Sequence, residues 1–223
     1  SPMPVQEEVI PFLLGDDNDV IALAQTGTGK TAAFGLPILQ KIDVTTYHPQ
    51  ALVLCPTREL CLQIADDLND YSKYIDNLKV LPVYGGSSIE SQIKTLKRGV
   101  HVVVATPGRL LDLMNRKTVD LSLVKNVIMD EADEMLNMGF TDSINAILAE
   151  VPENRNMLLF SATMPKEIAN ITKKYMKNPK EIVIGNKNEG NKNIRDIYYM
   201  VQARDKYLAL KRIADFYPNI YGI

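Results

Sequence analysis

Seven short runs of apolar or β-branched residues recur along the 223-residue chain, at positions 19–24, 51–55, 79–84, 101–105, 124–129, 157–160 and 181–184. Between them lie stretches whose apolar positions recur at helical spacing, such as 59–74 and 141–151. Strands alternating with helices of this length predict an α/β fold, a mostly parallel sheet with helices on both faces. In such open sheets ligands bind beyond the carboxyl ends of the strands, so the residues just past each strand carry the functional information. After Ala24 comes Gln25-Thr26-Gly27-Thr28-Gly29-Lys30-Thr31, after Cys55 Pro56-Thr57-Arg58-Glu59, and after Tyr84 Gly85-Gly86. After Ala105 comes Thr106-Pro107-Gly108-Arg109, after Met129 Asp130-Glu131-Ala132-Asp133, and after Phe160 Ser161-Ala162-Thr163. A turn needs small polar residues. A structural protein has no use for arginine, lysine and paired carboxylates gathered along one edge of a sheet.

The pattern changes near Gly185. Residues 186–196 are polar, charged and contain glycine, as a linker does. Beyond them, 197–201 reads as a strand and 206–216 as an amphipathic helix with Leu208, Leu210, Ile213 and Ala214 on its apolar face. Roughly twenty residues are too few to bury a core of their own. The expected organisation is therefore one α/β domain over 1–185, a linker over 186–196 and the start of a truncated second domain over 197–223. The length agrees, being long for one domain and short for two. The chain opens Ser-Pro-Met and ends on Ile223 after an apolar helical pattern, and so reads as a piece of a longer protein.

Composition excludes several classes. Hydrophobic residues at 46% and charged residues at 23% match ordinary globular usage and rule out a disordered or collagenous chain. The formal charge of -2 gives no hint of nucleic acid, but its distribution is uneven. Residues 1–172 carry 14 basic and 22 acidic side chains, whereas 173–223 carry 11 and 5. Only Cys55, Cys61, His48 and His101 could supply soft metal ligands, and no set at metal spacing can be drawn from them. The two cysteines read as buried reduced thiols, which suits a cytosolic or nuclear compartment. No apolar run approaches the ~18 residues of a membrane span. Glu7 and Glu8 stand where a signal peptide carries positive charge, so the chain reads as soluble and unsecreted.

Residues 24–31 approximate the phosphate-binding pattern G-x-x-x-x-G-K-[ST], with Ala24 in place of the first glycine. Gly27 and Gly29 let backbone amides curl around phosphate oxygens, Lys30 reaches the terminal phosphates, and Thr31 offers its hydroxyl to Mg²⁺ at a positive helix N-terminus. Such a loop needs a second metal anchor, and Asp130 is the first polar residue after an apolar strand. Glu131 beside it is the carboxylate placed to orient or deprotonate an attacking water.

Together, AQTGTGKT at 24–31, PTREL at 56–60, Gly85-Gly86, TPGR at 106–109, DEAD at 130–133 and SAT at 161–163 resemble the first RecA-like domain of a DEAD-box RNA helicase, in that family's order and at compatible spacing. The resemblance implies a RecA-like P-loop NTPase fold. It implies that Ala24, Gln25, Thr26, Gly27, Thr28, Gly29, Lys30 and Thr31 cradle ATP, and that Thr31 and Asp130 hold Mg²⁺. Lys30, Asp130 and Glu131 are then catalytic. Asp133 with the Ser161 and Thr163 hydroxyls would bond to one another and relay nucleotide state toward a second RecA-like domain in cis. Pro4-Val5-Gln6 is similar to the family's adenine-reading segment, since a glutamine amide can pair with both a donor and an acceptor on adenine. Here Met3 stands where threonine is common, and the upstream aromatic residue is absent. Pro56, Thr57, Arg58, Gly86, Thr106, Pro107 and Arg109 match positions that bind the sugar-phosphate backbone of RNA, single strand or short duplex, without reading sequence. The implied protein is a cytoplasmic monomer whose isolated first domain hydrolyses ATP weakly. Two competing readings are a GTP switch or small-molecule kinase, with Asn186-Lys187-Asn188-Glu189 imitating a guanine-reading motif, and a non-catalytic RNA clamp or partner-binding module. Nucleotide discrimination separates the first from the helicase reading.

Overall fold

Each apolar run becomes a strand in the computed structural model, which describes residues 1–15, 19–184, 197 and 199–217. The strands are β1 (Val20–Leu23), β2 (Ala51–Leu54), β3 (Val80–Val83), β4 (Val102–Ala105), β5 (Asn126–Met129), β6 (Asn156–Ser161) and β7 (Lys180–Val183). Around them lie α1 (Pro4–Gly15), α2 (Lys30–Gln40), α3 (Arg58–Tyr71), α4 (Ile89–Lys97), α5 (Pro107–Asn115), α6 (Ala132–Asn137), α7 (Thr141–Glu150) and α8 (Lys166–Tyr175). The sheet runs in the order β3-β4-β2-β5-β6-β1-β7, every pairing parallel.

The five inner strands are almost wholly apolar and buried because both faces are covered, whereas the edge strands β3 and β7 are partly exposed and β7 begins Lys180-Glu181. Alternate residues feed two cores. Ile21, Leu52, Val103, Val127 and Leu159 pack with α5, α7 and α8. Their neighbours Ala22, Val53, Val104, Ile128 and Phe160 pack with α1, α2 and α3. Cys55 and Cys61 are buried free thiols in the second core, as expected, and the Cys61 thiol donates to the Val104 carbonyl at 3.1 Å.

Two buried polar residues tie the amino ends of the strands. The Asp19 carboxylate, 4% exposed, accepts from the backbone N–H of Met157 at 2.7 Å and from that of Lys177, joining β1 to β6 and to the entrance of β7. His101 is fully buried ahead of β4. Its Nδ1 accepts from Lys79 N–H at 3.0 Å, so the ring proton sits on Nε2, which faces the Val44 carbonyl at 3.1 Å.

The described chain divides into two compact units, Ser1–Asn188 and Glu189–Ile223. In the second, α9 spans Lys206–Phe216, where the sequence predicts a helix, and Leu208 and Leu210 on it are exposed. The strand expected at 197–201 does not form: its described residues carry no strand hydrogen bonds. An isolated extended segment has no ladder to join, and a strand without a neighbour is unstable. The linker expected at 186–196 lies outside the described residues. Among the described residues no helix is long and apolar enough to cross a membrane.

The first turn of α1 generates a stability prediction. Gln6 Oε1 accepts from Met3 N–H at 3.0 Å, and the Met3 carbonyl accepts from Gln6 N–H at 2.8 Å. This is half of a reciprocal cap, because methionine has no side-chain acceptor to return. Met3→Thr should raise stability by about 0.5–1 kcal/mol, read as a shift of the urea midpoint at constant slope. An unchanged or lower midpoint would contradict the cap. His101 gives a second prediction. Burial lowers its pKa below the ordinary histidine value, so the unfolded chain protonates first as acidity rises. Its contribution is complete above the unfolded value of about 6.5 and is lost as pH falls through it. The stability gap between parent and His101→Gln should therefore narrow between about pH 7.5 and about pH 5. A constant gap would show that His101 does not titrate on unfolding.

Candidate functional site

The six polar clusters all lie just past the carboxyl ends of strands, and the sheet order sorts them into two adjacent groups. The clusters after β3, β4 and β2, with Gly86, Thr106–Arg109 and Pro56–Arg58, occupy one half of the edge. Those after β5, β6 and β1, with Asp130–Asp133, Ser161–Thr163 and Ala24–Thr31, occupy the other. Neighbouring strands are about 4.8 Å apart, so each trio lies within reach of one ligand. In sequence the β1 loop is separated from the β5 and β6 loops by the other three; the crossovers bring it beside them.

In the second half, β1 ends at Leu23 and the chain turns through Gln25–Gly29 into α2. Gly27 and Gly29 have φ of 79° and 81°, the left-handed region that favours glycine. Space also requires Gly29, since a β-carbon there would lie 2.5 Å from Gln6 Nε2. Nothing lies within 4 Å of the corresponding point at Gly27, so there the positive φ rather than crowding favours glycine. Thr28 Oγ1 closes the turn on the Gln25 carbonyl at 2.8 Å. Gln6 joins the site from α1: its Nε2 donates to the Gly29 carbonyl at 3.2 Å, so its amide binds the loop as well as capping its own helix.

Lys30 opens α2 and is 7% exposed, and its Nζ lies 3.6 Å from Oδ1 of Asp130, itself 3% exposed. Asp130 comes directly after β5 and is fixed by its own N–H donating to Leu54 O at 2.9 Å, while Oδ1 accepts from Glu131 N–H at 3.0 Å. Burial raises the Asp130 pKa and Lys30 only partly opposes this, so the carboxylate's negative charge is undercompensated. Glu131 is raised by burial and then by the adjacent Asp130 charge. Its backbone sits at φ 50°, ψ 50°, an uncommon conformation for glutamate that costs on the order of 1 kcal/mol. An amide cradle, a threonine in the first helical turn and an undercompensated buried carboxylate fit a phosphate anion carrying a divalent cation.

Asp133 and Thr163 meet as expected: Asp133 Oδ2 accepts from Thr163 Oγ1 at 2.8 Å and from Thr163 N–H at 3.0 Å. Ser161 does not join them. It is the last residue of β6, fully buried, with its carbonyl held by Ala24 N–H at 3.0 Å, and its hydroxyl has no hydrogen-bond partner among the described residues. Thr163 lies beyond the strand and is exposed, which is why it alone reaches Asp133.

In the other half, Pro56 is buried, and Thr57 caps α3 with its hydroxyl accepting from Leu60 N–H at 3.2 Å. Arg58 is exposed, its guanidinium carbon 5.0 Å from the centre of the Tyr84 ring. Thr106 and Pro107, both buried, start α5. Arg109 Nη1 donates to Ser87 O and to Gln92 Oε1, each at 3.1 Å. Among the described residues neither arginine forms an ion pair, although Glu90 lies near enough to Arg109 for the guanidinium to contribute to holding its carboxyl below the usual range. Tyr84, Ser87 and Gln92 were not anticipated. The available signal was Gln92 itself, a polar residue on the face that Ile89, Ile93 and Leu96 turn toward the core.

Residues 3–171 match the family model described as DEAD/DEAH box helicase. The chain is 49% identical over 218 residues to a Mycobacterium tuberculosis protein named ATP-dependent RNA helicase DeaD, covering 98% of this chain and 38% of that one. It is 48% identical over 212 residues to the Bacillus cereus DEAD-box ATP-dependent RNA helicase CshA, covering 95% and 40%. The chain thus spans about two fifths of the length of these relatives. A crystal structure of a DEAD box protein from Methanococcus jannaschii superposes with a TM-score of 0.78 at 43% identity, over 96% of this chain and 57% of that one. The sheet carries the RecA-like architecture of these neighbours, and the chain belongs to the DEAD/DEAH box helicase family.

Proposed function

We propose that this chain is the ATP-binding half of an ATP-dependent, RNA-stimulated RNA helicase, with the β1, β5 and β6 loops holding nucleotide and the β2, β3 and β4 loops holding the RNA backbone. The observation that carries this reading is the separation of the six clusters into two adjacent groups, one built around the buried Lys30–Asp130 pair and one around unpaired arginines. The amides of residues 25–31 cradle the phosphates, Lys30 neutralises their terminal charge, and Gln6 reads the adenine edge once it leaves the Gly29 carbonyl. Thr31 and Asp130 would hold Mg²⁺, which supplies charge neutralisation on the phosphate oxygens when bound. Glu131 accepts the proton of the attacking water, a role that its raised pKa and its position beside the phosphate loop suit. The Asp133–Thr163 bonds link this half to the rest of the enzyme.

Arg58 and Arg109, with the helix starts at Thr57 and at Thr106-Pro107 and the Gly86 turn, grip sugar and phosphate and so read no sequence. A second RecA-like domain in cis, opening with α9, completes both halves. The exposed Leu208 and Leu210 fit a helix that belongs to a larger core. The full protein acts as a cytoplasmic monomer, and the isolated half hydrolyses slowly because half of the site is missing.

In the protein carrying its second domain, single-stranded RNA should stimulate ATP hydrolysis and DNA of the same sequence should not. Glu131→Gln should bind ATP as the parent does while turnover falls about 10²–10³-fold. Undiminished turnover in that variant would remove Glu131 from the proton step. Tight GTP binding with no response to RNA would overturn the helicase reading.

A further inference from the structure

Gln92 lies outside all six polar clusters, yet it binds two of the three loops on the RNA half. It is 6% exposed on α4, and every polar atom of its amide is engaged within that half. Nε2 donates to the Tyr84 carbonyl at 3.1 Å and to Ser87 Oγ at 2.7 Å. Oε1 accepts from Arg109 Nη1 at 3.1 Å. The same Nη1 reaches the Ser87 carbonyl at 3.1 Å, so both of its hydrogens are used. The Ser87 hydroxyl in turn donates to the Tyr84 carbonyl at 3.4 Å.

This closed set of bonds fixes two things. The turn after β3, which carries Gly85 and Gly86, is pinned at both ends, at Tyr84 and at Ser87. The Arg109 guanidinium is anchored through one nitrogen, while Nε and Nη2 have no protein partner among the described residues. A guanidinium held this way presents a pre-oriented fork, the geometry that suits two-point binding of a phosphate. The third loop is attached through Tyr84, whose ring lies under Arg58 while its carbonyl is held by Gln92. A neutral amide is what this place requires. A carboxylate would pair with Arg109 and cancel the charge the phosphate needs, and an ammonium would offer Arg109 no acceptor.

We infer that Gln92 is a positioning residue for RNA: it acts through Arg109 and the Gly85–Ser87 turn and touches no nucleotide itself. The inference rests on the proposed RNA-backbone role of Arg109 and Gly86.

The test is RNA-stimulated ATPase of the protein carrying its second domain, titrated separately with RNA and with ATP. Gln92→Leu should raise the RNA concentration for half-maximal stimulation about tenfold, as expected when a hydrogen bond to a charged group is lost, and leave the ATP KM and the turnover at saturating RNA within about twofold. Ser87→Ala removes the two bonds of the hydroxyl, from Gln92 and to the Tyr84 carbonyl, without emptying buried volume, and should shift RNA half-saturation the same way by about threefold, which keeps the test decisive if Gln92→Leu does not fold. Because Gln92 acts in part through Arg109, combining Gln92→Leu with Arg109→Met should weaken RNA half-saturation by less than the product of the two single effects. Unchanged RNA half-saturation in both single variants, an equal shift in ATP KM, or losses that multiply in the double variant would each overturn the inference while leaving the helicase reading intact. A parent protein with no response to RNA would overturn the helicase reading, and this inference with it.

Discussion

Two opposite charges that are each expensive to bury, the Lys30 ammonium and the Asp130 carboxylate, face one another at 3.6 Å at the carboxyl edge of the sheet. Removing either from water costs several kcal/mol, about as much as one whole set of favourable contacts can return, so the pair persists only because the fold leaves it no freedom to separate. That constraint comes from the backbone. Asp130 N–H is bonded to Leu54 O, and Ala24 N–H to Ser161 O, so the ends of β5 and β1 are locked to β2 and β6 before any side chain is considered. The phosphate loop must then leave β1 through two glycines with positive φ, and Glu131 is forced into a left-handed conformation directly after Asp130. The raised pKa of Asp130, which burial pushes up and Lys30 only partly brings back, is the electrostatic counterpart of that geometry.

The other half of the edge obeys the opposite logic. Arg58 and Arg109 are held by an aromatic face and by carbonyl and amide oxygens, never by a carboxylate. Neutral partners orient a guanidinium without discharging it, so the arginines remain available to an outside anion. This explains how an acidic first unit can present a surface suited to a polyanion: two oriented cations matter more than the sum of the charges.

Much of this was legible in the sequence. The five inner strands appeared as apolar runs because a parallel sheet buried on both faces leaves no room for alternation. The clusters were visible because each comes directly after a strand. The features that stayed hidden depend on long-range order. Nothing in residues 24–163 indicates that the chain order of the loops differs from their spatial order, since only the crossovers decide that. Gln92 was hidden because a glutamine on an amphipathic helix looks solvated until the loops it binds are in place. Ser161 was expected to bond with Asp133, but burial at the end of β6 keeps its hydroxyl away, and the strand expected at 197–201 has no partner strand among the described residues.

The division of one sheet edge into a nucleotide half and an RNA half is best tested by amide hydrogen exchange on the protein carrying its second domain, with ligands added one at a time. A non-hydrolysable ATP analogue should slow exchange at residues 25–31 and 130–133, and single-stranded RNA at 57–60, 85–88 and 106–110. RNA protection that falls on the phosphate loop, or that spares the loops after β2, β3 and β4, would contradict the account.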